Sequence, residues 1–171
     1  MDKNKFLETI QNCEQDTDLR NYLSKLYIKN LNCLGKDNLD LENIDYISHI
    51  LRKYAKKTSA DKAFVCGVYS ERFNNLKEEA LSIQRENKIL TVLSDMENRK
   101  LFTFLFNNGC CQYEKIAAAF PVENLADILE KFLEAELVWE TQLTTDTYYE
   151  LTAMGYVYYN KTIGRWGVPN N

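Results

Sequence analysis

Residues that interrupt helices are scarce in this chain, with two prolines and six glycines in 171 residues. Leu, Lys, Glu and Asn abound instead, which favours helix. Long apolar runs are also missing. The longest, 63–69 and 101–106, fall far short of the roughly 20 residues that a bilayer-spanning helix needs. The first thirty residues hold no apolar stretch of about seven or more, so no secretory leader is expected. Histidine occurs once, as His49. The five cysteines (Cys13, Cys33, Cys66, Cys110 and Cys111) are odd in number and lack C-x-x-C spacing. A structural zinc site needs paired ligands at short spacing, and a disulfide framework needs an even, patterned set. Reduced thiols and a cytoplasmic location are therefore expected. The vicinal pair Cys110-Cys111 is a candidate thiol sensor, weighed against inert or buried cysteines. His49, beside Ile47 and Ile50, reads as an ordinary helix residue.

Signatures of catalysis are missing too. There is no G-x-S-x-G, no glycine-rich phosphate loop and no H-E-x-x-H. The many acidic residues sit on polar helix faces, not as single carboxylates inside apolar runs. These absences predict a protein that is not an enzyme, with no catalytic residues, no metal and no cofactor.

What the chain does have is enough apolar residue, 45%, for a packed core, with 27% charged. The net charge is −4, which does not favour a polyanionic partner. Charge is unevenly spread. Residues 98–158 hold four basic and nine acidic side chains, a balance of −5, whereas 52–62 hold five basic side chains against Asp61, a balance of +4.

Along the chain, helices are expected over 2–12 (Phe6, Leu7 and Ile10 inward), 16–34 (capped by Asp16, Thr17 or Asp18, with Gly35 after its end) and 41–57, whose far end carries the basic cluster. The segment 63–69 is ambiguous between helix and strand. From 70 to 94 the pattern is the most regular in the protein. Tyr69, Phe73, Leu76, Ala80, Ile83, Asn87 and Leu90 step by fours and threes, a heptad stripe with one polar seam position. This stripe is a candidate dimer helix; the alternative is that it packs on the preceding helices of its own chain. Asp95-Met96-Glu97 marks a joint, dividing a helical part, 1–95, from a second domain, 96–160, and a tail, 161–171, in which Trp166 is a candidate for docking in a groove.

The second domain organises the chain. Leu101, Phe102, Leu105 and Phe106 line a helix that Asn108-Gly109 stops. A short Ala-rich helix over 112–120 follows, with Ile116, Ala117 and Phe120 at helical spacing. Pro121 is expected to end it and start the next, where Leu125, Ile128, Leu129 and Phe132 repeat at i, i+3, i+4, i+7. The β-branched and aromatic runs 137–142 and 147–152, separated by Leu143-Thr144-Thr145-Asp146, signal a hairpin. Thr152 is placed to cap a last helix. The expected class is mainly α: an N-terminal helical part joined to a winged helix-turn-helix with a two-stranded β-wing.

The segments Tyr113-Glu114-Lys115-Ile116-Ala117, Phe132-Leu133-Glu134-Ala135-Glu136-Leu137-Val138 and Tyr149-Glu150-Leu151-Thr152-Ala153-Met154-Gly155 resemble the MarR-like winged helices of bacterial transcription regulators. The likeness covers about 60 residues and rests on pattern positions such as the leucine-threonine, two residues, glycine step. It implies a scaffold helix, a recognition helix and a wing, with flanking helices used for dimerisation. Departures from the family pattern fall where DNA would be gripped. The groove-facing positions, usually Ser, Arg or Thr with a basic residue after them, are here Pro121, Val122, Glu123, Asn124 and Asp127. Glu130 and Glu134 extend the acidic face, relieved by Lys131, and Glu136 stands where the family has glycine. Glu123 and Asp127 also suit a helix N-terminus through its dipole, and Asn124 has the donor and acceptor to read an adenine edge. A carboxylate touching a phosphate adds repulsion of about 1 kcal/mol even in water.

The sequence therefore predicts a non-enzymatic regulatory or adaptor protein that binds a protein partner, or a second copy of itself, through Glu123, Asn124, Asp127, Glu130, Lys131 and Glu134. The alternative is a dimeric MarR-like DNA-binding regulator using Arg99, Lys100 and Lys115 on phosphates. No membrane partner is expected. The dense aromatic set around the hairpin (Trp139, Tyr148, Tyr149, Tyr156, Tyr158, Tyr159) is assigned mostly to core and cross-strand packing.

Overall fold

The computed structural model describes residues 2–36 and 38–166, with side chains described as far as Thr162. Among these are eight helices and one three-stranded antiparallel sheet. The chain divides into two compact units, Met1–Gln84 and Arg85–Asn171. That division falls inside a helix, before the joint read at Asp95-Met96-Glu97.

The first unit contains α1 (Lys3–Asn12), α2 (Asp16–Leu31), α3 (Leu41–Ala55) and the start of α4 (Ala60–Ser94). Asp2 caps α1 by accepting from the N–H groups of Asn4 and Lys5, at 3.0 and 3.2 Å. Asp40 caps α3 through the N–H of Asn43 at 3.0 Å, satisfying donors that have no partner within the helix. α2 ends three residues earlier than the periodicity suggests, and its N-cap is Gln15, with no side-chain cap bond. Asp16 and Asp18 lie inside the first turn instead, where their charge meets the positive helix end. The ambiguous segment 63–69 is helix, the opening of α4. The core gathers Phe6, Ile10, Leu19, Leu23, Ile44, Ile47, Leu51, Val65, Tyr69, Phe73, Leu76 and Ala80. Across α3 and α4, buried Ser48 and Ser70 bond each other, Oγ to Oγ at 3.0 Å, and Arg52 Nε donates to Ser70 Oγ at 3.1 Å.

In the second unit, Ile89 and Leu93 at the end of α4 join the core of α5 (Met96–Asn108), α6 (Tyr113–Ala119), α7 (Leu125–Glu134) and α8 (Ala153–Trp166). Packing of that last stretch of α4 explains why the units divide upstream of residue 95. Asp95 caps α5, and Gly109, at φ 64°, ends it. Phe102 lies edge-on to Phe132 at 5.6 Å, and Phe106 stacks on Tyr159 at 3.6 Å. The four apolar positions of α7 are all buried, as their spacing predicts.

The sheet has one strand more than expected. β1 (Cys111–Gln112), β2 (Val138–Leu143) and β3 (Asp146–Leu151) lie in the order β1-β3-β2. Two residues are too short to leave a periodic signal, and β1 is defined by its pairing with Tyr148 and Tyr149. Leu143 pairs with Asp146, so the connection is the two residues Thr144-Thr145, with Thr144 at φ 57°. At the other end, α8 is helical through Trp166, beyond the point where a tail was expected to begin. The Trp166 side chain and residues 167–171 lie outside what the structure describes.

Candidate functional site: an acidic helix face

α7 starts at Leu125, not at Pro121. Pro121 and Val122 are irregular, and Glu123 and Asn124 form a turn. Asn124 is the N-cap residue by position, but its side chain makes no capping bond. A proline in first position is compatible with a helix start, yet here Val122 N–H bonds Phe120 O at 2.8 Å and Leu125 N–H bonds Val122 O at 3.3 Å. The chain therefore makes a turn between the two helices before the next one begins.

Glu123, Asn124, Asp127, Glu130, Lys131 and Glu134 are all exposed. With Leu125, Ile128, Leu129 and Phe132 inward, Asp127, Glu130 and Glu134 fall at i, i+3, i+7 on the opposite side, a ridge turned to solvent. The C-terminal end of this ridge is tied down by residues that sequence reasoning missed. Lys88 Nζ lies 3.2 Å from Glu134, and Arg85 Nε lies 3.4 Å from Glu136. All four side chains are about half exposed, so each pair contributes less than about 1 kcal/mol. Nothing in the sequence flagged Arg85 and Lys88, because they lie off the apolar stripe of their helix.

Beside the N-terminal end of α7, Asn124, Ile128 and Lys131 line a cleft of about 410 Å³ with Asp95, Glu97 and Asn98. Asn98 is held there by donating from Nδ2 to Val92 O at 2.7 Å. Lys131 thus lines the same cleft as Asp95, whose carboxylate accepts from the N–H groups of Glu97 and Asn98, and as Glu97, which pairs with Lys100.

The C-terminus of α7 closes with a Schellman arrangement. Leu137 N–H donates to Phe132 O, and Glu136 N–H donates to Leu133 O, each at 2.9 Å. Glu136 occupies the left-handed region at φ 57°. The preference of the resembling family for glycine at this point has its physical reason in that backbone angle. Thr152 then fastens this corner to α8. Its hydroxyl donates to Glu136 O at 2.7 Å and accepts from Gly155 N–H at 2.9 Å. A Cβ at Gly155 would stand 2.3 Å from Leu137 O. The spacing leucine-threonine, two residues, glycine is therefore a cap plus a point of close backbone approach.

The remaining sites are dispersed. Arg99 and Lys100 are half-buried on α5, and Lys100 pairs with Glu97 at 3.1 Å; Lys115 is exposed on α6. Phe73, Leu76 and Ala80 are core residues of the first unit, so this half of the heptad stripe is occupied within the chain. Ile83 and Leu90 are half-buried, and Asn87 is exposed. His49 is exposed on α3, and Cys110 is exposed while Cys111 is buried. Burial pushes the Cys111 thiol up, with the neighbouring Cys110 adding to the rise, which lowers its thiolate content. Among the described residues no three His, Cys, Asp or Glu side chains converge as a metal-binding group, and no helix is long and apolar enough to cross a membrane.

Comparison with protein-family models, curated proteins and solved structures returned no match.

Proposed function

We propose that the second unit is a winged helix of the MarR-like kind turned to protein binding, and that the chain is a non-enzymatic regulator or adaptor. One observation carries this reading: the outward ridge of α7 is acidic from Asp127 to Glu134, with Glu123 ahead of it. A recognition helix that meets phosphate needs Lys and Arg there. Asp95 and Glu97 line the cleft beside α7. The partner this surface fits is a basic protein segment, steered by long-range attraction and held by charge-assisted hydrogen bonds.

The order α6, turn, α7, hairpin supports the alternative, a dimeric DNA-binding regulator, with Lys115 exposed on the scaffold helix. A paired experiment separates the two. The full chain carrying Glu123→Lys and Asp127→Lys should fold as the parent does by circular dichroism and lose a partner that the parent captures in a pull-down. The parent should show no binding to mixed-sequence duplex at about 50 mM salt, where phosphate contacts are strongest. Equal capture by parent and double variant would remove α7 as the site. Micromolar duplex binding by the parent, abolished by Lys115→Glu, would establish the DNA reading instead.

A further inference from the structure

We propose that β2 is a self-pairing edge, through which two copies of the chain join their hairpins into one antiparallel sheet about a two-fold axis at Thr141. β2 is terminal in the order β1-β3-β2, and among the described residues no strand pairs with its outer side. Every residue from Trp139 to Leu143 is exposed, including Trp139 at 64% and Leu143 at 56%. The usual protections of a free edge are proline, lysine, an inward charge or a bulge. β2 has no proline or lysine, and its register with β3 runs unbroken from Val138↔Leu151 to Leu143↔Asp146. The one protection of this kind is the charge of Glu140, on the same face as buried Tyr149, and the Tyr149 hydroxyl engages it by donating to it at 3.0 Å.

The register and side chains of β2 are self-complementary, which makes a second copy the fitting occupant. A two-residue turn makes its flanking residues a hydrogen-bonded pair. The main-chain groups of Trp139, Thr141 and Leu143 therefore point toward β3, and those of Val138, Glu140 and Gln142 point outward. In antiparallel pairing, opposed residues must both bond or both not bond. Symmetric pairing of β2 with itself can then be centred only on a single residue: Glu140, Thr141 or Gln142. Centring on Glu140 sets two carboxylates face to face, which is unfavourable. Centring on Gln142 carries Trp139 past the end of the strand. Centring on Thr141 sets Trp139 against Leu143 of the second copy twice over, Thr141 against Thr141, and Glu140 against Gln142 in the outward-bonding pairs. That register alone combines aromatic–aliphatic contacts with no like-charge opposition.

The same geometry supplies the test. Thr141 faces its own copy in a non-bonded pair, with Cα atoms about 4.5 Å apart, within disulfide reach. In the full chain with exposed Cys110 replaced (Cys110→Ser), Thr141→Cys should form a covalent dimer on mild oxidation, several-fold more than Leu143→Cys, which faces Trp139. Adding Gln142→Pro, which removes an outward N–H at an edge where proline is tolerated, should reduce the cross-link to background while circular dichroism is unchanged. By sedimentation, Thr141→Glu should dissociate the dimer and Thr141→Val should tighten it. Equal cross-linking at 141 and 143, a chain that stays monomeric at several hundred micromolar, or a dimer insensitive to Thr141→Glu would each overturn the proposal. The last result would place the interface elsewhere.

Discussion

Replacing Glu136 with glycine should leave the protein about 1 kcal/mol more stable than replacing it with alanine. Glu136 holds φ 57° because the Schellman turn demands it, with Leu137 and Glu136 N–H groups bonded back to Phe132 and Leu133. A side chain in that region costs roughly 1–2 kcal/mol. Glycine removes this strain but gives back roughly 0.4–1 kcal/mol by enlarging the freedom of the unfolded chain. Both substitutions delete the contact with Arg85 at 3.4 Å, whose partners are 52% and 60% exposed. An exposed pair of this kind contributes less than about 1 kcal/mol. The Thr152 hydroxyl bonds the Glu136 backbone carbonyl, so neither variant touches it. The glycine variant should therefore exceed the alanine variant by about 1 kcal/mol, the alanine variant retaining the strain without the ion pair. Urea unfolding reads this directly, as a midpoint separation of roughly 0.3–1 M at ordinary slopes. Arg85→Ala measures the ion pair alone and should cost less than about 1 kcal/mol. An alanine variant as stable as the glycine variant would refute the argument from backbone angle.

Three further expectations concern Gly155 and Tyr149 of the second unit and Gly67 of the first. Gly155→Ala should cost about 3 kcal/mol or more, because its methyl group would meet the Leu137 carbonyl at 2.3 Å and that oxygen is also bonded to Thr152 N–H. Gly67→Ala, inside α4 with nothing within 4 Å, should instead gain roughly 0.5–1 kcal/mol, so the contrast in thermal unfolding tests close approach against helix propensity. Burial, then the hydrogen bond and charge of Glu140, push the Tyr149 phenol up to about 12 from 10.0. The folded state then keeps a proton that the unfolded state releases. This stabilisation is complete below pH 10 and is lost as pH rises from about 10 to about 12. Ultraviolet titration should show a tyrosine ionising near 12 that moves toward 10 in Glu140→Gln; an unchanged titration would show that Glu140 has no part in the shift.

Much of the helical architecture was legible in the residues because helix periodicity is local. The spacing of Leu125, Ile128, Leu129 and Phe132 predicted the buried face of α7, and the same spacing left its charged residues outside. Helix ends were less legible. Pro121 is compatible with a first helical turn, but hydrogen bonds around Val122 hold the chain in a turn up to Asn124. The stripe along α4 is uniform in sequence, yet its first half is spent on the core of the first unit, while Ile89 and Leu93, off that stripe, enter the core of the second. Which residues cover a face is decided by elements far away in the chain.

The sequence by itself determined the helix-rich class, the hairpin, and the negative charge of α7's outward side, because each follows from residue type and period. Only the tertiary structure decided that Glu136 carries a glycine's backbone angle, that Lys88 and Arg85 reach the end of the acidic face, and that no strand among the described residues pairs with the outer side of β2. The angle at Glu136 follows from hydrogen bonds that close the end of α7 and tie it to Thr152, and the ion pairs and the strand edge depend on which residues distant along the chain come together, which apolar periodicity does not encode.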